Sequence, residues 1–223
     1  MNYYYKNNEK GFTLVELLIA MTIGLIILTA LSSTFLLQRD AYDDQEQIAE
    51  MVQTARAAMD MMSREISMAG YAPTGAIPKT PTGTMQRSDP TGAKFVGIPY
   101  DANKLQIYAD LNGDEDTDDS HEYIKYTMDS DYPFEIRRDT GGGRQEFALN
   151  IQIFNFSYWK DENEDGVLEQ VITSADNDKI REIEITITAR TAEPDFNYTN
   201  PTYGGHYRTY EVKSFITPRN LGL

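Results

Sequence analysis

The chain has 223 residues, with 20 lysines and arginines against 35 aspartates and glutamates, and its formal net charge is −15. A chain this acidic is repelled by nucleic acid unless its basic residues gather on one face. The sequence shows no such gathering, so we expect no nucleic-acid binding. The chain contains no cysteine, which excludes disulfides, thiolate nucleophiles and cysteine-ligated metal centres.

A long uncharged run lies near the N-terminus. Residues 17–37 carry no charged side chain, and as a helix they would extend about 31 Å, close to the hydrocarbon thickness of a bilayer. The polar stretch before the run contains Lys6 and Lys10, and basic residues favour the cytoplasmic side. We therefore predict one membrane-spanning helix in the inner membrane, with the N-terminus in the cytoplasm and the remaining chain outside it.

The junction between the polar stretch and the apolar run has the sequence KGFTLVE, from Lys10 to Glu16. It resembles the processing signal of type IV prepilins. This resemblance implies that a prepilin peptidase cuts after Gly11, methylates Phe12 and leaves the apolar helix in the mature protein. An ordinary secretory signal instead has a shorter apolar core and a small-residue cleavage site after it. Residues 1–11 are the predicted leader peptide.

Glu16 is a charged residue at the edge of an apolar helix. A carboxylate costs about 2.5 kcal/mol or more at the centre of a membrane helix, so such a group usually has a partner or a function. The resemblance implies that Glu16 meets the N-terminal amine of a neighbouring subunit in a filament and so takes part in assembly. The alternative is a glutamate whose carboxylate reaches the membrane interface near the helix end.

The helix is expected to continue beyond the apolar run, because no proline precedes Pro73. We predict that it extends from Phe12 to about Met68, with a transmembrane half over residues 12–37 and an amphipathic half over residues 38–70. In the amphipathic half, apolar residues recur at spacings of three and four, which makes a stripe that another surface must cover. The stripe consists of Ile48, Val52, Ala55, Met59, Met62 and Ile66.

The rest of the chain has a strand pattern. Residues 72–103 hold five prolines and are predicted to form an irregular connection. Within residues 180–190, isoleucines alternate with polar residues, which predicts a strand whose apolar face receives the helix stripe. The seven predicted strands are 105–108, 123–128, 134–138, 149–159, 167–173, 180–190 and 207–216. The fold class is therefore α+β, with a long N-terminal helix packed on an antiparallel sheet in a β-rich domain over residues 71–223.

The order of helix and sheet is also what the type IV pilin resemblance implies. Within that superfamily the chain is most similar to the PilW-like minor pilins, and more distantly to the J-like minor pseudopilins of type II secretion. The segments that carry this similarity are SREISMAGY at 63–71, DLNG at 110–113, FNFSY at 154–158 and PRN at 218–220.

Much of the negative charge lies in two short loops. Residues 110–119 hold six acids and residues 161–169 hold five, and neither loop contains a lysine or an arginine. Crowded carboxylates repel one another by about 1 kcal/mol per close pair even in water, and a divalent cation would remove that cost. Calcium takes six to eight oxygen ligands, and a loop with acids or amides at alternate positions can supply them.

The second acidic loop resembles the start of an EF-hand loop, with the pattern D-x-N-x-D-G ending at Gly166. The twelfth position is Ile172, so the usual closing glutamate is missing. A solvated acidic turn between strands is the alternative to a calcium site. The predicted ligands are Asp161, Asn163, Asp165, the carbonyl of Val167 and Glu169.

The first acidic loop begins in the same rhythm but has Glu115 at the position where a glycine is expected. An aspartate later in the loop, Asp118 or Asp119, is available to complete a calcium shell. The predicted ligands are Asp110, Asn112, Asp114 and Asp116.

The side chains outside these segments suggest no enzyme. His121 and His206 are the chain's two histidines, and neither has the spacing of a metal site or a catalytic triad. Gly141–Gly143 lack the lysine and the following helix of a phosphate-binding loop, and they predict a hairpin turn.

We therefore predict a minor pilin that takes part in assembly or initiation of a type IV pilus, with a head that binds calcium. Its expected partners are the prepilin peptidase, the inner membrane before assembly, and other pilins contacted through the N-terminal helix. After assembly it is expected in the pilus at the cell surface. Two alternatives stay open: a minor pseudopilin of a type II secretion system, and a membrane-anchored extracytoplasmic module that binds calcium or an adhesive target and never enters a filament.

Overall fold

The computed structural model describes residues 11–80, 86–89, 92–131, 134–163 and 165–220. Over these residues the chain forms one long α-helix, ten β-strands in antiparallel pairs and one short 3₁₀ helix, Ser174–Lys179. This order of elements confirms the predicted α+β class. Residues 1–10 of the predicted leader lie outside the described part of the chain.

Helix α1 is continuous from Leu14 to Met68, and its C-terminal end is where the sequence predicts it. The chain divides into two compact units, the first ending at Glu46 and the second beginning at Gln47. The last 22 residues of α1 thus belong to the second unit, which also holds all the described strands. The division falls inside the segment that the sequence assigns to the amphipathic half of the helix.

The predicted helix stripe faces the interior of the second unit. Ala55, Met62 and Ile66 have no exposed surface, and Met59 is buried beside them. Ile48 and Val52 at the start of the stripe are partly buried and pack against the same core. The helix also buries three residues outside the predicted stripe, namely Met51, Ala58 and Glu65.

The strands form two four-stranded sheets and one hairpin. One sheet has the order β10-β9-β7-β8, the other has the order β3-β4-β5-β6, and β1 pairs with β2. The strands are β1 Gln86–Asp89, β2 Gly92–Phe95, β3 Lys104–Tyr108, β4 Tyr123–Asp129, β5 Glu135–Asp139, β6 Gln145–Ala148, β7 Ile151–Lys160, β8 Glu169–Val171, β9 Ile180–Arg190 and β10 Thr209–Ile216.

Several details differ from the sequence-based expectation. Helix α1 begins at Leu14, two residues after the predicted start, and strand β6 was not predicted. The strands predicted over residues 167–173 and 207–216 are shorter in the structure, where they are β8 and β10. The connection predicted to be irregular over residues 72–103 contains the β1–β2 hairpin. The strand predicted over residues 149–159 begins two residues later, because the chain turns at Asn150 between β6 and β7. Asn150 has a φ of +56°, and asparagine is one of the few residues with a side chain that tolerates this left-handed conformation.

Strand β9 lies between β7 and β10 and confirms the predicted alternation. Ile183, Ile185 and Ile187 have no exposed surface, and they belong to one core that also contains the buried residues of α1 and of both four-stranded sheets. Each buried isoleucine contributes about 1.5–3 kcal/mol of hydrophobic free energy relative to an exposed position. This core therefore fixes the last 22 residues of α1, which belong to the second unit, on the sheets.

Three backbone segments pack closely together at the end of α1. Gly70 has a φ of +75°, which ends the helix in the left-handed conformation, and its N–H donates to the Tyr108 carbonyl at 2.9 Å. The Tyr108 N–H donates in turn to the carbonyl of Gly97 at 2.7 Å. Gly97 is so close to Gly70 that an added Cβ would lie 2.0 Å from the Gly70 nitrogen.

The last described residues of the chain cap the same helix end. Carbonyls in the final turn of a helix have no partner within the helix. Here the Arg219 N–H donates to the Ser67 carbonyl at 3.3 Å, and the Asn220 side-chain amide donates to the carbonyls of Met68 at 3.2 Å and Ala69 at 3.3 Å. The C-terminal segment therefore donates to three carbonyls at the helix end, of which that of Met68 also accepts from the Tyr71 N–H at 3.0 Å.

One buried charge lies on α1 within the second unit. The carboxylate of Glu65, which is 7 % exposed, accepts hydrogen bonds from the Tyr126 hydroxyl on β4 and from the Arg138 guanidinium on β5. Burial raises the pKa of Tyr126, and the bond to Glu65 raises it further. Burial lowers the pKa of Arg138, but the carboxylate of Glu65 outweighs that effect and the net shift is upward. Tyr126 therefore stays neutral and Arg138 stays charged at neutral pH.

Candidate functional site

The predicted cleavage position lies in a short exposed segment before α1. Gly11 to Thr13 have no regular secondary structure, and Phe12 is 93 % exposed. Peptidases act on exposed backbone that is free of helical hydrogen bonds. The bond between Gly11 and Phe12 meets both conditions, because the helix begins only at Leu14.

Glu16 forms a capping box with Thr13 at the start of α1. The Glu16 carboxylate accepts from the N–H and from the hydroxyl of Thr13, both at 2.8 Å, and the Glu16 N–H donates to the Thr13 hydroxyl at 3.2 Å. Such reciprocal bonds satisfy orphan donors at a helix N-terminus. Within a single chain, Glu16 thus has a local partner, and the T-x-x-E pattern that signals it is visible in the sequence.

The apolar part of α1 has the composition of a membrane span. It is long and apolar enough to cross a bilayer, and no residue of its most apolar 18-residue stretch is buried. Four hydroxyls in this part donate to the carbonyl four residues earlier, so they need no partner from outside the helix. These bonds are Thr22 to Leu18 at 2.8 Å, Thr29 to Leu25 at 2.8 Å, Ser33 to Thr29 at 2.9 Å and Thr34 to Ala30 at 3.0 Å.

The first acidic loop is the connection between β3 and β4. Its two ends are joined by a hydrogen bond from the Ala109 N–H to the Glu122 carbonyl at 2.9 Å. Asp110, which is fully buried, organises the loop by accepting from the N–H groups of Gly113 at 2.6 Å and Glu115 at 3.2 Å. Glu115 stands where the sequence pattern calls for glycine, and it adopts a φ of +69°. The loop therefore makes the turn without the glycine.

Three carboxylates of this region lie together. Oxygens of Asp114, Asp116 and Glu122 are all within 4.8 Å of one another. Asp114 is exposed, Asp116 is half-buried and Glu122 is 2 % exposed. Two of these three residues are predicted calcium ligands, whereas Glu122 follows the acidic segment and was not predicted. Asp110 and Asn112 lie in the same loop but outside this group.

The acids at the tip of the first loop also interact with one another. A side-chain hydrogen bond to Asp116, together with the negative charge of that residue, raises the pKa of Asp118. The pKa of Asp116 is lowered by its hydrogen bonds to the side chain and backbone of Asp118. The crowding that the sequence indicates is therefore present in the folded loop.

The second acidic loop connects β7 and β8 and is arranged differently. The Asp161 carboxylate accepts from the N–H groups of Asp165 at 3.2 Å and Gly166 at 3.1 Å, and the Asp165 carboxylate accepts from the Val167 N–H at 2.8 Å. The Glu169 carboxylate accepts from the Glu162 N–H at 3.3 Å. Among the described residues, which include every acid of this loop except Glu164, no three carboxylates gather as they do in the first loop.

Two lysines outside the second loop neutralise part of its charge. Glu162 accepts from the ammonium groups of Lys160 at 2.8 Å and Lys179 at 2.9 Å. Both lysines also contact Asp176 in the 3₁₀ helix, at 3.2 and 3.3 Å. The hydrogen bond from Lys160, followed by that from Lys179, lowers the pKa of Glu162 to about 2. The sequence pattern missed this cluster because Lys179 follows the loop by ten residues.

The ion pairs of Glu162 predict a pH dependence of stability. A carboxyl whose folded pKa is depressed stabilises the fold above its unfolded pKa, here 4.5, and loses that effect as the pH falls toward about 2. We expect the melting temperature of Glu162→Gln to lie below that of the wild type at pH 6, and the difference to shrink between pH 4.5 and pH 2. The measurement is thermal unfolding in the presence of a calcium chelator.

Glu211→Gln, at an exposed glutamate of β10, is the control for this measurement. A pH-independent difference between wild type and Glu162→Gln would contradict the role of the two lysines.

Comparison with known proteins identifies the N-terminal segment. The model of the prokaryotic N-terminal methylation motif matches residues 6–32, which confirms the predicted resemblance to the type IV pilin superfamily. The chain is similar to the solved structure of a type IV-like pilin from Thermus thermophilus, with 8 % identity, a TM-score of 0.39, and coverage of 77 % of this chain and 97 % of that one. No curated protein sequence matches the chain. The assignment to the PilW-like subtype stays a prediction.

Proposed function

We propose that this chain, a structural subunit of the pilin and pseudopilin type, functions as a minor pilin that takes part in assembly or initiation of a type IV pilus. The observation that carries the proposal is the position of Glu16. Its carboxylate takes part in the cap at the start of a long apolar helix and lies inside the methylation motif. In a monomer, Thr13 supplies its partner. In a filament, the N-terminal amine of a neighbouring subunit takes that place.

The proposal assigns a processing step and a topology to the N-terminal segment. A prepilin peptidase cuts after Gly11 and methylates Phe12, which the exposed backbone of this segment permits. The mature subunit stays in the inner membrane through α1 until it is assembled. Lys6 and Lys10 of the leader keep the N-terminus in the cytoplasm, and the second compact unit lies outside it.

The assembly role of Glu16 is tested by separating its charge from its capping function. Glu16→Gln keeps an oxygen that accepts from Thr13 but removes the charge, whereas Glu16→Ala removes both. We expect both variants to be inserted and processed, and both to be at least tenfold depleted from sheared pili. Without the Glu16 carboxylate, the N-terminal amine of the neighbouring subunit is left as an unpaired charge in the apolar filament core, which costs about 2.5 kcal/mol or more. The measurement is the ratio of the subunit in the pilus fraction to that in the membrane fraction, by immunoblot.

A matched control and a chemical readout complete this test. Glu46→Gln makes the same change at another glutamate of α1 and is expected to enter pili normally. Mass spectrometry of the mature wild-type chain is expected to find a methylated Phe12 as the first residue. Normal incorporation of Glu16→Gln would show that charge pairing is not required and would remove the basis of the proposal.

The same motif and helix also fit a minor pseudopilin of a type II secretion system, since both filament types use subunits of this design. Deletion phenotypes separate the candidates. Loss of pili and of twitching supports the pilus role, and loss of exoprotein secretion supports the pseudopilin. A strain that loses neither indicates a membrane-anchored calcium-binding or adhesive module that works outside a filament.

The proposal includes calcium binding by the second compact unit. The two acidic loops supply its candidate ligands, and cation binding would relieve the repulsion among their carboxylates. Binding only to the folded form would also stabilise a unit that has no disulfide.

A further inference from the structure

Glu122 carries a buried oxygen that has no hydrogen-bond partner. Its Oε1 accepts from the N–H groups of Leu111 at 2.7 Å and Asn112 at 3.1 Å. Its Oε2 is shielded from solvent and contacts no donor among the described residues. A buried acceptor without a partner costs about 1–3 kcal/mol, and more when the group is charged. Such an atom at a loop of aspartates points to a positively charged ligand.

The surroundings of Glu122 supply further oxygens for such a ligand. Carboxylate oxygens of Asp114 and Asp116 lie within 4.8 Å of each other and of a Glu122 oxygen. A calcium ion holds its ligands at 2.3–2.6 Å, so two of its ligand oxygens are at most about 5 Å apart. The three carboxylates are therefore spaced closely enough to share one ion.

The loop is also organised in advance for this arrangement. Glu122 holds the backbone at Leu111 and Asn112, and the Asn112 side-chain amide donates to the Asp114 carboxylate at 2.9 Å. Asp110 holds the turn at Gly113 and Glu115. These bonds come from within the protein and fix the loop backbone that carries the carboxylates.

We propose that Asp114, Asp116 and Glu122 bind one Ca²⁺ ion, and that Glu122 is the ligand that closes the site from the start of β4. This assignment rests on the calcium binding in the proposed function and deepens it, since it names the loop and the closing residue. Glu122 takes the role of the closing glutamate of an EF-hand. It lies at the thirteenth position of the loop counted from Asp110 and not at the twelfth.

The site ties the acidic loop to the strand that follows it. Bound calcium bridges Asp114 and Asp116 in the loop to Glu122, whose neighbour Tyr123 begins β4. Because the ion binds the folded loop only, calcium is expected to raise the thermal unfolding temperature of the chain.

The test is a calorimetric titration of the full chain in non-ionic detergent, first stripped of metal, with CaCl₂ and separately with MgCl₂. Wild-type protein is expected to bind calcium. Asp114→Asn and Glu122→Gln are each expected to weaken that binding at least tenfold. Glu122→Gln keeps an oxygen for the two backbone N–H groups, and Asp114 is exposed, so both variants are expected to fold.

Two matched controls localise the site. Glu115→Gln makes the same change as Glu122→Gln at an exposed glutamate of the same loop outside the carboxylate group, and Asp161→Asn makes the same change as Asp114→Asn in the second loop. Both are expected to bind calcium within twofold of the wild type. If Glu122→Gln does not fold, Asp114→Asn alone decides the assignment.

Three outcomes would overturn the assignment. Unchanged calcium affinity in Asp114→Asn or Glu122→Gln would show that the ion binds elsewhere, while calcium binding in the proposed function would survive. Loss of binding in Asp161→Asn alone would move the ion to the second loop. No heat and no thermal shift in the wild type at millimolar calcium would remove calcium binding altogether, while the Glu16 test would still decide the filament role.

Discussion

Replacing Gly97 with alanine is expected to destabilise the second compact unit by at least about 3 kcal/mol. Gly97 has a φ of +77°, which costs about 1–2 kcal/mol for a residue with a Cβ. The added Cβ would also lie 2.0 Å from the Gly70 nitrogen and 2.6 Å from the Tyr108 carbonyl oxygen. Both neighbours are backbone atoms that hydrogen-bond to each other, so neither can move without breaking the end of α1.

Gly75→Ala is the matched control for this prediction. Gly75 has a similar φ of +72°, but an added Cβ would meet no atom within 4 Å. Its cost is therefore expected to be the backbone strain alone, about 1–2 kcal/mol. Urea unfolding of the full chain, followed by the fluorescence of its single tryptophan, Trp159 on β7, measures both. Equal destabilisation by the two substitutions would show that the close approach at Gly97 is not tight.

Glu65→Ala is expected to destabilise the same unit by about 3–5 kcal/mol, because it leaves the Arg138 guanidinium without its carboxylate. The side chain of Arg138 is 16 % exposed, so water replaces the carboxylate only in part. The substitution also removes the acceptor of the Tyr126 hydroxyl. Urea unfolding at pH 7 measures the loss.

A double substitution distinguishes a lost ion pair from a lost packing contact. In Glu65→Ala with Arg138→Met, no buried charge is left without a partner, so we expect this double variant to be more stable than Glu65→Ala alone. A double variant as unstable as the sum of its two single changes would contradict that explanation. The difference between the free-energy change of the double variant and the sum of the two single changes is the interaction energy of Glu65 and Arg138.

The elements that the sequence predicts best are those whose pattern is local. Strand β9 has the predicted limits, and within it apolar and polar residues alternate strictly from Glu182 to Ala189. The end of α1 is predicted by Gly70 and Pro73, which terminate helices for reasons of backbone geometry. The hairpin strands β1, QRSD, and β2, GAKF, lack β-branched residues, so no local pattern marks them.

Features that depend on distant partners were not predictable. Glu65 is a polar residue beside the helix stripe, and its burial depends on Tyr126 and Arg138, which are 61 and 73 residues away in sequence. Glu122 lies outside the alternating acids of the first loop. It reaches them because the Ala109 N–H bonds to its carbonyl and closes the loop. The sequence identified the acidic loop, whereas the third carboxylate of the group follows from the strand pairing.

The N-terminal segment is different, because its pattern lies in consecutive residues. The residues from Gly11 to Glu16 predict a cleavage position and an assembly residue, and both stay predictions. The methylation motif itself, which spans these residues, is confirmed. The capping bond between Thr13 and Glu16 was missed even though T-x-x-E is a recognised signature. The cost of a charge in a membrane predicts a partner for Glu16 in another subunit, whereas the structure shows one three residues earlier in the same chain.

The cap on the end of α1 has a consequence for the order in which the protein folds. Asn220 bonds to Met68 and Ala69, which precede it by 152 and 151 residues. A ribosome makes the helix long before it makes Arg219 and Asn220. The helix end therefore lacks these bonds until both residues have been synthesised, and contacts this distant in sequence form slowly. A chain truncated before Pro218 would carry all ten described strands and still lack these bonds at the end of its first element.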